Sequence, residues 1–207
     1  SLKRAPQSVS QRLEEISGVS RTATRVSFGM TLDLAKMQAP VSGKILSLPD
    51  HGTPKLNSLY LHSGRLPHPN EENAVVVDQS FFDAHNYQLG DSVKAVLNGQ
   101  GLLLKMVGVV LSPEFIYSIA PGSMMPDSKR YGIFWMGRRQ LAALSDMQGA
   151  FNDVAMQVER NANIPNIKAQ IDLILSPYGG LIAYDRSKQL SNFFVENELL
   201  QLESMGM

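Results

Sequence analysis

The sequence predicts an α+β fold, on three observations. Short segments alternate apolar and polar residues as half-buried strands do: across residues 21–34, Ala23, Val26, Phe28, Met30, Leu32 and Leu34 fall mostly on alternate positions. Other segments repeat their apolar residues at helical spacing, as Ile167, Ile171, Ile174 and Leu175 do. Clusters of turn-forming residues separate the two kinds along the whole chain. With 207 residues and 43% hydrophobic content there is enough to bury a core without staples, as one domain or as two small interleaved lobes.

In chain order, Ser8 followed by Gln11 fits a capping box, and Val9, Leu13 and Ile16 recur at helical spacing before Gly18, so the chain opens with a short helix. Strands are expected over 21–34 and 41–48. Residues 49–54 and 64–73 are rich in turn formers and read as exposed loops. Residues 59–61 read as a strand, as do residues 74–77, a continuous apolar run suited to burial on both faces. Asp78 is placed to cap a brief helix carrying Phe81, Phe82 and His85, and Leu89, Gly90 and Asp91 then turn the chain into a strand over 93–97. Asn98 and Gly99 tolerate positive φ and favour a tight hairpin returning over 102–110. A segment with Pro113, Pro121 and Pro126 follows, then a strand over 131–136, a helix over 138–145 and a strand over 154–158. A helix from Asn163, with Pro165 in its first turn, stops at Pro177 and Gly179. A strand over 182–184 and a long helix over 187–207 close the chain.

Composition narrows the function. Nineteen basic and nineteen acidic residues leave no net field to hold nucleic acid or an anionic bilayer, so no nucleic-acid partner is expected. The chain has no cysteine, which excludes disulfides, thiolate metal sites and cysteine nucleophiles. No stretch supplies the roughly 20 consecutive apolar residues of a membrane helix; the most apolar, 102–111, is interrupted by Lys105. Ser1 opens the chain where a start methionine would stand, with no signal pattern behind it, which reads as a piece of something larger.

Individual residues carry little chemistry. His51, His62, His68 and His85 lack companions at metal-binding spacing, so no metal, cofactor or catalytic group is expected. Gly99, Gln100 and Gly101 lack the lysine and helix of a phosphate loop, and Ser123 lacks the frame of a nucleophilic serine. Two features stand out as candidate contacts with a partner or substrate. Asp127, Lys129 and Arg130 gather charge beside Tyr131. The segment 115–125 sets Phe115, Ile116, Tyr117, Ile119, Met124 and Met125 among prolines and a glycine. Apolar loop residues either fold back onto the core, the preferred reading here, or offer an adaptable binding surface. The candidate contact residues are therefore Phe115, Ile116, Tyr117, Met124, Met125, Asp127 and Arg130.

The order of several short motifs resembles a known family. Gly64, Arg65, Leu66, Pro67, then Ala74 to Val77, a short helix, Leu89, Gly90, Asp91, Ser92, Val93, and finally Met106, Val107, Gly108, Val109, Val110 are similar to the periplasmic core domain (MacB-like) of FtsX/MacB-type ABC transporter permeases. That signature covers residues 61–111. Ser112 to Tyr117 with Pro126, Asp127 and residues 131–136, and then Gly149 to Val154, resemble a branch of long FtsX-like permeases.

The resemblance implies a two-lobed domain: a lobe of strand-helix-strand units from residues 1–60 and 132–207 next to the membrane helices, and an inserted, mainly β lobe over 61–131. It implies a place on the periplasmic or extracytoplasmic side of the bacterial inner membrane, anchored by flanking membrane helices of the same permease. Through those helices it would meet a cytoplasmic ABC ATPase, in a dimeric transporter without a catalytic role for this domain. Its expected work is to contact an apolar substrate or periplasmic partner protein and relay ATP-driven motion. The alternative is a free-standing secreted binding or hydrolytic protein with a pocket between two lobes.

Overall fold

A computed structural model describes residues 2–35, 37–39, 41–52, 54, 56–115, 124–180 and 183. Its elements are β1 (Ala5–Pro6), α1 (Val9–Glu14), β2 (Val19–Arg25), β3 (Ser27–Asp33), β4 (Val41–Leu48), β5 (Tyr60–Gly64), β6 (Ala74–Asp78), α2 (Gln79–Ala84), β7 (Ser92–Leu97), β8 (Gln100–Leu111), β9 (Tyr131–Gly137), α3 (Arg138–Leu144), β10 (Ala150–Phe151), β11 (Asp153–Val158) and α4 (Ile164–Leu175), followed by a 3-10 turn, Ser176–Tyr178. The mixture is α+β, as the periodicities predict. Of the strand expected over 182–184 only Ala183 is described, its N–H donating to Asp172 Oδ1 at 2.9 Å, and the helix over 187–207 lies outside the described residues.

Local chemistry sets most boundaries. The Asp78 carboxylate accepts the Phe81 N–H at 3.0 Å and caps α2. Asn163 accepts the Asn166 N–H at 3.1 Å and caps α4, with Pro165 in the first turn. Asn98 and Gly99, at φ 50° and 76°, form the two-residue hairpin between β7 and β8. The capping box expected at Ser8 does not form. Ser8 is itself helical, at φ −60° and ψ −22°, and makes no side-chain cap, while Gln11 donates to Glu15 Oε1 at 3.0 Å. A residue already in the helix cannot turn its hydroxyl back onto the orphan N–H groups.

Six strands close into a barrel. Hydrogen-bonded neighbours run β8, β6, β9, β4, β3, β7, and β7 returns to β8. The long β8 makes closure possible: residues 100–105 pair with β7, and 105–110 pair with β6. β5 adds to the far end of β8, and only the β4–β9 and β6–β8 pairings are parallel. One alternate set of side chains, including Met30, Leu32, Ile45, Val75, Val77, Leu104, Met106, Phe134 and Met136, forms the main core with Phe81 of α2 and Leu141 of α3. The other set, including Leu46, Val76, Val107, Ile133 and Trp135, forms a second core under Leu59 and Phe115. This two-sided burial is why all five residues of β6 are buried and why its sequence does not alternate.

A smaller lobe pairs β2 with β11 and β1 with β10, and packs α1 and α4 around Leu13, Ile16, Phe151, Ile167 and Leu175. The strand expected over 21–34 is thus two strands in two sheets. Between them Val26 exchanges hydrogen bonds with Ser47, donating to its Oγ at 2.9 Å and accepting its N–H at 2.8 Å.

The chain crosses between lobes at Arg25/Val26 and again at Ala150/Phe151, where Val26 and Ala150 belong to the barrel core and Phe151 to the small one. The hydrogen bonding joins strands from both sides of 60/61 and 131/132 in one sheet. β3, β4 and β9 are barrel strands, because β4 runs parallel to β9 from Ser42↔Tyr131 to Leu48↔Gly137. Pairing between segments so far apart leaves no trace in local periodicity.

Candidate functional site at the lobe junction and the β8–β9 connection

The candidate contact residues separate into two environments. Phe115 folds back: its ring lies 6.2 Å from that of Trp135, and Lys44 Nζ stands 5.3 Å above its face. Met124 and Met125 point outward, 78% and 72% exposed. Phe115 thus packs on the core, while the two methionines are exposed. Asp127 folds a turn by accepting the N–H groups of Lys129 and Arg130 at 3.0 and 3.2 Å. The Arg130–Asp127 ion pair, at 3.8 Å and exposed, adds little to stability. His85, at the end of α2, holds this turn through a 2.9 Å hydrogen bond between its Nε2 and the Lys129 carbonyl. Ile116 and Tyr117 lie outside the described residues.

Residues that sequence reasoning passed over meet where the lobes join. Arg25 ends β2, and its guanidinium grips two carboxylates. It donates from Nη2 to Glu114 Oε1 at 2.9 Å and from Nε to Asp153 Oδ2 at 2.8 Å, with further bonds from Nη1 to Glu114 and from Nη2 to Asp153. Glu114 also accepts from Asn57 Nδ2 at 2.9 Å. All three ionic side chains are about 15% exposed (16%, 16% and 15%). Burial opposes the Asp153 charge, but Arg25 and Lys44 outweigh it and hold the carboxyl below its ordinary value. Burial likewise opposes the Arg25 charge, and the two carboxylates more than compensate, raising its pKa.

Arg138 of α3 crosses the junction the other way. It donates to the Thr24 carbonyl at 2.7 Å and to Gln7 Oε1 at 2.7 Å. Asn152 closes the gap between them, accepting the Ser27 N–H at 2.7 Å and donating to the Ser27 carbonyl at 2.8 Å. One signal of this site was visible: the apolar phase slips between Ala23 and Val26, where the chain changes sheets.

The short motifs also converge in space. Gly64 sits at φ 75°, and a Cβ there would meet the Val107 carbonyl oxygen at 2.3 Å; a Cβ on Gly108 would meet the Arg65 carbonyl oxygen at 2.2 Å. The Arg65 N–H donates to the Val107 carbonyl at 3.0 Å, and Gly90 and Met106 are linked by a 2.8 Å bond from the Gly90 N–H. The glycines at 64 and 108 let backbone lie on backbone where β5, the 89–91 turn and β8 meet.

Two shallow clefts lie on the surface. One of about 180 Å³ is lined by Glu14, Val19, Ser20, Arg21 and Thr22, and one of about 80 Å³ by the prolines at 49, 54, 67 and 69 with Leu48, Asp50, Gly52, Leu66 and Gly137. Both fall below the usual volume of a small-molecule site, roughly 300 Å³ and upward. Among the described residues no group of three or more His, Asp or Glu is placed to hold a metal, and no helix is long and apolar enough to cross a membrane.

No protein-family model and no curated protein sequence matches the chain. Solved structures do. The periplasmic region of MacB from Actinobacillus actinomycetemcomitans is similar over 84% of this chain and 74% of its own, at 15% identity and a TM-score of 0.45. The extracellular domain of the ABC-type transporter YknZ from Gram-positive bacteria is similar over 88% of this chain and 89% of its own, at 16% identity and a TM-score of 0.52. The chain shares the fold of the YknZ extracellular domain. In this fold the motif glycines 64 and 108 lie at the β5–β8 contact of the barrel lobe.

Proposed function

We propose that this chain is the extracytoplasmic domain of an FtsX/MacB-type ABC transporter permease, joined to the membrane helices of that permease and, through them, to a cytoplasmic ABC ATPase. The observation that supports this reading is the likeness to the YknZ extracellular domain, which extends over 88% of this chain and 89% of that one. The domain makes and breaks no covalent bonds. It meets an apolar substrate or a periplasmic partner protein, in a dimeric transporter, and passes ATP-driven motion across the membrane by rigid-body movement. Met124 and Met125 are the proposed contact, flanked by the Asp127–Arg130 turn, because exposed, flexible thioethers adapt to apolar partners. Phe115 is held against Trp135 where the β8–β9 connection begins.

The full-length gene product, tagged and extracted in detergent, tests the reading. A nucleotide-hydrolysing subunit is expected to co-purify with it. A product that purifies alone and turns over ester or peptide substrates overturns the reading in favour of a secreted hydrolase.

A further inference from the structure

We infer that the Arg25–Glu114–Asp153 cluster is an ionic latch that fixes the angle between the two lobes. Among the described residues two chain crossings join them, at 25–26 and 150–151, and rotation about such a pair of crossings is the motion this connectivity leaves open. Arg25 stands at one crossing. It is bound within its own lobe to Asp153 of β11 and across the junction to Glu114, which follows β8 of the barrel. Glu114 is in turn tied to Asn57, before β5, so the guanidinium reaches two barrel connections through one carboxylate.

The geometry is that of a latch rather than of a surface ion pair. The bond to Glu114 is two-pronged, Nη1 to Oε2 and Nη2 to Oε1, and planar forks of this kind fix orientation as well as distance. All three side chains are largely removed from water, so removing one partner leaves a buried charge uncompensated. Arg138 reaches back across the same junction but bonds to neutral acceptors, the Thr24 carbonyl and Gln7 Oε1. Among the described residues the hydrogen-bonded ionic restraint therefore rests on Arg25, with Lys44 of β4 adding a longer-range attraction to Asp153. Withdrawal of Glu114 frees the small lobe to turn while both lobe cores, which share no residue, stay packed. The latch belongs to the chain by itself and holds or fails whatever complex the chain serves.

Amide hydrogen exchange on the Glu114→Gln variant tests it, with paired spin labels as a second readout. The amides of Ser27 and Gln7 bond across the junction, to Asn152 Oδ1 and to the Gly149 carbonyl, whereas those of Val76 and Phe134 lie in the barrel wall. In the variant the first pair is expected to exchange about 10-fold faster or more while the second pair is unchanged, the scale set by losing a charge-assisted hydrogen bond. Labels at Leu103→Cys on β8 and Leu173→Cys on α4, both exposed and in a chain without cysteine, are expected to show a wider distance distribution in the variant. Junction amides that do not accelerate, or that accelerate only in step with the barrel amides, overturn the latch. Should the variant not fold, the unmodified chain decides: its Ser27 and Gln7 amides must exchange as slowly as Val76 and Phe134, and faster exchange there overturns the latch.

Discussion

Replacing Asp78 with alanine removes one carboxylate that closes two separate parts of the barrel. Its Oδ2 accepts the Phe81 N–H at 3.0 Å, capping α2, and its Oδ1 accepts the Ile133 N–H at 2.7 Å, tying β6 to β9. The side chain is buried, at 5% exposure, so no water replaces it freely. Loss of an N-cap costs about 1 kcal/mol. A buried N–H left without an acceptor costs about 1–3 kcal/mol more. Together they give about 2–4 kcal/mol, a large part of the roughly 5–15 kcal/mol that holds a domain together. At this chain length each kcal/mol moves the melting midpoint by roughly 2–4 °C, so a fall of about 4–16 °C is expected in thermal melts followed by circular dichroism. Asp83→Ala, on the exposed side of α2, is the control and should stay within about 0.5 kcal/mol. The Asp78→Asn variant adds a spectroscopic check. Burial, and then the Asp78 charge, push the Tyr131 hydroxyl up to about 12, so removing the charge should lower its titration in ultraviolet absorbance. An Asp78→Ala chain that melts within a degree of the parent refutes this reasoning.

Three other outcomes follow from the same structure. Gly108→Ala would drive a Cβ to 2.2 Å from the Arg65 carbonyl oxygen, where backbone must yield, and about 3 kcal/mol of destabilisation is expected by denaturant titration; a neutral result would show that the β5–β8 contact is loose. Phe151→Ala empties the centre of the small lobe, at a cost of about 3–5 kcal/mol. Because the single tryptophan, Trp135, lies on the barrel, helix loss by circular dichroism should then precede the fluorescence transition, and coincident transitions would contradict separate cores. Asp153, held below its ordinary value of 3.8, stabilises the folded chain above that pH and loses its contribution as pH falls through the folded-state value. The gap in melting temperature between the parent and Asp153→Asn should therefore be steady from pH 7 to about 5 and close below pH 3.8; a gap that widens in acid contradicts the assignment.

How far the sequence speaks depends on the range of the interaction. The Asp78 cap, the Asn98–Gly99 hairpin and the buried run of β6 are set within a few residues, and periodicity and turn chemistry read them directly. Closure of the barrel rests on the β4–β9 pairing and on β8 serving two neighbours, which are long-range facts that no window of residues contains. The grouping of β3 and β4 with the barrel strands is illegible in the sequence for that reason. Ser8 shows the opposite limit: its capping pattern is correct in sequence, but the chain had already entered the helix. Arg25 was hidden by its place in an alternating strand, where a charged residue reads as solvent-facing. Only a partner far away in the chain, Glu114, makes it a junction residue.

The central claim, that this domain stands outside the cytoplasm as part of a membrane permease, is tested most directly by labelling the full-length gene product in cells. Met124→Cys places a thiol at an exposed position of a chain that otherwise has none. In spheroplasts a membrane-impermeant maleimide is expected to label it before lysis, and the labelled protein should stay with the membranes through an alkaline wash. Labelling only after lysis, or recovery of the protein entirely in the soluble fraction, contradicts the claim.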